Sequence, residues 1–66
     1  MNNYDIAKQE IVKTIDRYRR RHVEYNIAIR VIHGMTTAFV VAKFITGNEA
    51  DKLYDETIEI AMSELD

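Results

Sequence analysis

The most constraining feature of the sequence is the segment from Val31 to Ile45, which carries a single formal charge, Lys43, in fifteen residues. The segments on either side of it are dense in charge. A helix that is apolar on nearly every side has to be covered on more than one side. We therefore expect the flanking segments, or copies of them from another chain, to pack around this one.

The length of the chain, 66 residues, allows one small domain that spans residues 1–66. A chain of this size buries only about 60% of the surface of its unfolded state, so disulfides, a metal ion or oligomerisation usually stabilise it. There is no cysteine, which excludes disulfides and thiolate metal sites. Because 47% of the residues are apolar, we expect the chain to self-associate.

Apolar residues recur every three or four positions from Tyr4 to Ile32, which is the pattern of one helix face. His22 belongs to this pattern and is expected in the core or at an interface. Two interpretations stay open for the middle of the pattern. A break at residues 22–26 is favoured because helices average about 11–12 residues, whereas the unbroken pattern would allow one helix that continues to Gly34 or beyond.

A strand-rich alternative exists for the middle of the chain. Residues 27–31 alternate in character and residues 36–41 are rich in β-branched side chains, so an α-β-β-α chain with a turn at Gly34 would fit them. The end of the central segment favours helix instead. Gly47 suits the left-handed position past a helix end, and Asn48 suits the N-cap of the next helix.

Residues 49–65 form a clear amphipathic helix, with charged residues on one side and apolar residues on the other. Only one short turn separates it from the central helix, so the two should be antiparallel neighbours. The predicted fold is therefore all-α. It consists of an amphipathic N-terminal helix and an antiparallel helical hairpin from about residue 25 to residue 65, in a homodimer or a higher oligomer.

Charge is unevenly distributed along the chain. Residues 1–33 hold seven lysines and arginines against four acids, whereas residues 34–66 hold two against seven, for a net charge of −2. The two halves can neutralise each other within one chain or between chains.

The only basic cluster comprises Arg17, Arg19, Arg20 and Arg21, with Tyr18 among them. Arginines around an aromatic ring can bind phosphates and stack on bases, so nucleic-acid binding is a candidate function. On a helix, however, Arg19 points away from the other three. The isoelectric point of about 5.6 also contrasts with the basic character of most nucleic-acid-binding domains. We prefer a solvated or acid-paired cluster.

No combination of residues points to catalysis or to a cofactor. Asp55, Glu56 and Glu59 lie on the helix face that is predicted to be solvated, with no nucleophile or histidine near them in sequence. His22 and His33 would be about 16 Å apart on a continuous helix, which is too far to share an ion. We predict no enzyme activity, no catalytic or metal-binding residue and no cofactor.

The longest uncharged run, Val31 to Ala42, has twelve residues, whereas a membrane-spanning helix needs about 20. The first residues lack the basic-then-apolar order of a signal peptide. We therefore expect a cytoplasmic protein without a membrane partner.

Gly34 has two interpretations. A glycine inside a helix costs about 1 kcal/mol relative to alanine and is sometimes simply tolerated. Alternatively, Gly34 and Ala38, one turn later, form a small-residue face that lets another helix approach closely.

Aromatic and central apolar residues are the candidates for an interface with a partner, because tyrosines are common on half-buried surfaces. The predicted interface residues are Tyr18, Tyr25, Phe39, Val40, Val41 and Phe44.

Gly34, Ala38, Gly47, the pair Glu49–Ala50 and Tyr54 form a further pattern. Across residues 32–58 it resembles short, mostly uncharacterised helical proteins encoded by phages and other mobile elements. The resemblance implies a small accessory protein and assigns no site residue. The predicted function is protein–protein interaction or regulation without catalysis, by a homo-oligomer that also binds another protein. The alternative is a nucleic-acid-binding regulator that uses the arginine cluster.

Overall fold

The computed structural model describes all 66 residues and consists of three helices joined by two short turns. Helix α1 spans Asn3–Arg20, α2 spans Tyr25–Val41 and α3 spans Gly47–Glu64. There is no strand, so the prediction of an all-α chain is confirmed and the α-β-β-α alternative is wrong. The favoured break is also present, because residues 21–24 separate α1 from α2.

The helices run up, down and up, so that α2 is antiparallel to both of the others. Two hydrogen bonds join the ends of the bundle. The side-chain amide of Asn3 donates to the backbone carbonyl of Phe44 at 2.9 Å, and the backbone N–H of Tyr25 donates to the carbonyl of Asp66 at 2.9 Å. Helix α3 packs most extensively against α2, and α1 and α2 share the smallest interface.

The core between the helices is small. Its largest fully buried side chains are Ile11, Ile15, Ile32, Leu53 and Thr57. The other buried apolar residues are mostly alanines, which allow the helices to approach closely but contribute little apolar area. The fold therefore depends on few large contacts.

Three of the buried residues are threonines, one in each helix. Each hydroxyl donates to a carbonyl of its own helix: Thr14 to Glu10 at 3.0 Å, Thr36 to His33 at 2.9 Å and Thr57 to Leu53 at 2.7 Å. No buried side-chain nitrogen or oxygen lacks a hydrogen-bond partner. These threonines therefore fill core positions as small β-branched residues without an unpaired polar atom.

Helix α2 ends in a Schellman motif centred on Lys43. The backbone N–H of Phe44 donates to the carbonyl of Phe39, and that of Lys43 donates to the carbonyl of Val40, both at 2.9 Å. Lys43 adopts the left-handed conformation, with φ of 59°. The rings of Phe39 and Phe44 pack with centroids 5.7 Å apart, which is the apolar contact that accompanies this motif.

Helix α1 ends in the same way. The backbone N–H of Val23 donates to the carbonyl of Tyr18 at 3.0 Å, and that of His22 donates to the carbonyl of Arg19 at 3.3 Å. His22 has φ of 57° and is exposed. The expectation that His22 lies in the core is therefore wrong, because α1 ends two residues before it, at Arg20, and the turn directs its side chain to solvent.

Helix α3 begins with a capping box formed by Thr46 and Glu49. The hydroxyl of Thr46 accepts from the backbone N–H of Glu49 at 3.1 Å, and the carboxylate of Glu49 accepts from the backbone N–H of Thr46 at 2.9 Å. Asn48 is therefore not the N-cap, and Gly47 is not in a left-handed conformation. Both predictions are wrong because Lys43 already supplies the left-handed residue that ends α2.

We predict that Lys43→Gly raises the free energy of unfolding by about 0.5–1 kcal/mol, because a Cβ is disfavoured at positive φ and glycine has none. Gly47→Ala is the matched control. A Cβ added at Gly47 would meet no atom within 4 Å, so this change should leave the free energy of unfolding unchanged or raise it. Urea denaturation followed by circular dichroism measures both variants. Destabilisation of the Gly47→Ala variant, with no gain in the Lys43→Gly variant, would contradict this description of the turn.

Candidate interaction surface

One side of α2 carries apolar and small residues that neither of the other helices covers. Ile27 is 49% exposed and Val41 is 76% exposed. Between them, at helical spacing, lie Val31, which is half-buried, and Gly34 and Ala38, which are exposed. We call these five residues the α2 outer face.

The outer face exists because α2 is apolar on two sides and has neighbours on only one. Its fully buried residues, Ala28, Ile32 and Thr36, lie on the side that faces α1 and α3. On the opposite side, exposed polar residues lie among the apolar ones, including Arg30, His33 and Thr37. Burial of the inner side by α1 and α3 therefore leaves the outer side in contact with solvent.

Gly34 lies at the middle of the α2 outer face, seven residues from Ile27 and seven from Val41. A Cβ added at Gly34 would have no atom within 4 Å. No helix of the same chain makes a close approach at this glycine, so its cost in helix propensity is not offset by packing within the chain.

A groove of about 260 Å³ runs along one edge of the α2 outer face, between α2 and the start of α3. Thr37 and Val41 line it from α2, and Asp51 and Tyr54 line it from α3. The rings of His33 and Tyr54 meet edge to face at 5.8 Å between centroids. The groove thus places one carboxylate, that of Asp51, beside the apolar surface.

Two exposed charges near this surface have no partner within the chain. Arg30 projects from α2, and Asp51 lies on the α3 side of the groove. Neither takes part in any of the salt bridges of the structure, all of which involve residues of α1. Both are therefore free to pair with charges on another chain.

The residues that the sequence predicts for an interface fall into two groups. Val41 is exposed on the α2 outer face. The half-buried ones are Tyr18, Tyr25, Phe39, Val40 and Phe44, of which all but Tyr18 pack against the core. The predicted set does not include Ile27. The equal spacing of Ile27 and Val41 from Gly34 is the sequence signal that could have identified it.

Arginines of the predicted basic cluster are partly neutralised by acids. The carboxylate of Asp16 lies 2.7 Å from the guanidinium of Arg19 and 2.9 Å from that of Arg20. Arg19 also lies 3.4 Å from Glu64 of α3. The hydrogen bond from Arg19, and then the charges of both arginines, lower the pKa of Asp16. This half of the cluster is acid-paired.

The other half of the cluster points elsewhere. The guanidinium of Arg17 donates to the hydroxyl of Thr14 at 3.3 Å. Arg21 is exposed at the end of α1 and forms no salt bridge. The structure thus leaves two of the four arginines, Arg17 and Arg21, without an acidic partner.

Glu56 differs from Asp55 and Glu59, which are exposed, because it lies between α1 and α3. The hydroxyl of Tyr4 donates a hydrogen bond to it, and the ammonium of Lys8 lies 3.4 Å from its carboxylate. The bond from Tyr4 and the charge of Lys8 lower the pKa of Glu56, and burial together with this bond raises the pKa of Tyr4. Glu56 is an ionised acceptor that joins two helices, so the prediction that its face is solvated is wrong at this residue.

No group of three histidine, aspartate or glutamate side chains lies close enough together to hold a metal ion. None of the three helices combines the length and the apolar character needed to cross a bilayer. No protein-family model, curated protein or solved structure matches the chain.

We predict that Glu56→Gln lowers the melting temperature at pH 7 and reduces its dependence on pH below about pH 4.5, the ordinary pKa of glutamate. A carboxylate whose pKa falls on folding stabilises the fold above its unfolded-state pKa, and this contribution is lost as the pH falls through the folded-state pKa. Thermal melts between about pH 2.5 and pH 7 measure it. Glu59→Gln, at an exposed residue without an ion pair, is the control. Identical pH profiles for both variants would contradict the role of Glu56.

Proposed function

We propose that this chain is a small non-enzymatic protein–protein interaction or regulatory accessory protein that acts as a homo-oligomer assembled through the α2 outer face. The observation that carries the proposal is the exposure of Ile27 and Val41 at the two ends of an apolar helix face. Apolar side chains that remain exposed along one helix face mark an interaction site. The proposed setting is the cytoplasm, and the resemblance to proteins of phages and mobile elements supports an accessory role.

The small size of the core supports self-association. Only four large apolar side chains, those of Ile11, Ile15, Ile32 and Leu53, are fully buried, and there is no disulfide. Apolar area that becomes buried between chains contributes about 25 cal/mol per Å², as it does within one chain, and this gain has to exceed the entropic cost of association. A second chain bound to the outer face would therefore stabilise the folded state by mass action. This stability is additional to what the three helices of a single chain provide.

A nucleic-acid-binding regulator that uses Arg17, Arg19, Arg20 and Arg21 is the alternative. Binding to phosphates depends on the number of cations that can replace counterions. The bonds from Asp16 to Arg19 and Arg20 reduce that number. For this reason we favour a protein partner.

We predict that Val41→Lys raises the dissociation constant of the oligomer at least about tenfold, because an ammonium has to be desolvated in an apolar contact. The fold should be unaffected, since Val41 is 76% exposed. Sedimentation equilibrium over a hundredfold range of protein concentration measures the effect. Met62→Lys, at a residue of α3 that is 64% exposed, is the matched control and should associate like the native chain. A native chain that is monomeric at every concentration would contradict the proposal.

We also predict that the native chain is not retained on DNA or RNA at low salt, and that joint replacement of Arg19, Arg20 and Arg21 by glutamine changes nothing in that assay. Circular dichroism of the triple variant checks that its fold is intact. Retention of the native chain that falls steeply with salt, and that the triple variant loses, would favour the nucleic-acid alternative.

A further inference from the structure

We propose that the occupant of the α2 outer face is a second copy of this chain, with the two α2 helices antiparallel and crossing at Gly34. In this arrangement Arg30 of each copy pairs with Asp51 of the other. The inference rests on the self-association proposed above, to which it adds the orientation, the crossing point and the charges that fix them.

The apolar residues of the outer face are arranged symmetrically about Gly34. Ile27 lies seven residues before it and Val41 seven residues after it, a distance of about 10 Å along the helix in each direction. A twofold axis at Gly34 therefore places Ile27 of one copy against Val41 of the other, and the contact occurs twice. The two most exposed large apolar side chains of α2 cover each other.

Gly34 allows the two helices to come close at the crossing point. With hydrogen in place of a side chain, the backbone of the second α2 can approach nearer than it could at any larger residue. The space above Gly34 is open in the chain, since an added Cβ would meet no atom within 4 Å. Ala38, one turn later, has only a methyl side chain, so it does not hold the helices apart as they diverge from the crossing point.

The same axis brings Arg30 to the groove that Asp51 lines. Arg30 lies four residues before Gly34, so in the second copy it comes level with Ala38, four residues after Gly34. Arg30 also lies on the same edge of α2 as Thr37, because residues seven apart share one side of a helix. Thr37 lines the groove opposite Asp51. The twofold axis thus creates two arginine–carboxylate pairs from charges that are unpaired within each chain.

A parallel arrangement lacks this complementarity. It would place the two Arg30 side chains at the same level but on opposite edges of the interface, each away from the groove of the other copy. Both Asp51 carboxylates would also lack a cation, and Ile27 of one copy would lie against Ile27 of the other. Charge and apolar spacing therefore both favour the antiparallel pair.

Charge reversal tests the pairing. Arg30→Glu and Asp51→Lys, made separately, should each raise the dissociation constant of the homodimer at least about tenfold, because each puts like charges together at both pairs. An equimolar mixture of the two variants should form a heterodimer of nearly native affinity. In the mixed dimer the introduced glutamate faces the introduced lysine, and native Arg30 faces native Asp51. Sedimentation velocity with one variant fluorescently labelled measures the mixture.

Two control variants carry the same charge changes on other surfaces. Arg21→Glu and Glu59→Lys should dimerise like the native chain, alone and mixed, and circular dichroism verifies the fold of all four variants. If the native chain dimerises but Arg30→Glu and Asp51→Lys do so equally well, or if mixing them restores nothing, the antiparallel pairing is wrong and the proposed function stands. A native chain that never associates overturns both.

Discussion

Burial of the inner side of α2 against α1 and α3 is the interaction on which the rest of the structure depends. Ile32 and Thr36 fill the centre of the bundle, and the two Schellman motifs return the chain at angles that bring α1 and α3 onto the same side of α2. Two neighbours on one side leave the other side open. An apolar central helix in a chain of three helices therefore produces a covered side and an exposed apolar side at once.

Electrostatics joins the basic first half of the chain to the acidic second half. Between the parallel helices α1 and α3, Lys8 pairs with Glu56 and Arg19 pairs with Glu64. Partly exposed pairs of this kind contribute little individually. They nonetheless link the basic residues of α1 to acidic residues of α3 within the chain. Arg30 of α2 has no such partner and remains exposed.

The three helices and the break could be predicted from the sequence because apolar spacing records which side of each helix is buried. The left-handed residue that ends α2 could not be identified from the sequence. A lysine in this conformation is uncommon, and Gly47 was the better candidate by residue type. The phenylalanines at positions 39 and 44 have the spacing of a Schellman contact, and that was the available signal. The role of Glu56 was beyond sequence analysis, because it depends on Tyr4, 52 residues away, lying on the adjacent helix.

The outer face was predictable only in part, for a physical reason. Spacing alone cannot tell which apolar side of α2 the chain itself covers, so Phe39 and Val40 were grouped with Val41 although both pack inward. Gly34 marks the middle of the side that the chain does not cover. It weakens the helix by about 1 kcal/mol relative to alanine, and within the chain no contact offsets that cost. Residues that lower the stability of the fold are expected at positions that serve a function. The proposed crossing of a second α2 at Gly34 would account for a glycine centred between two exposed apolar residues.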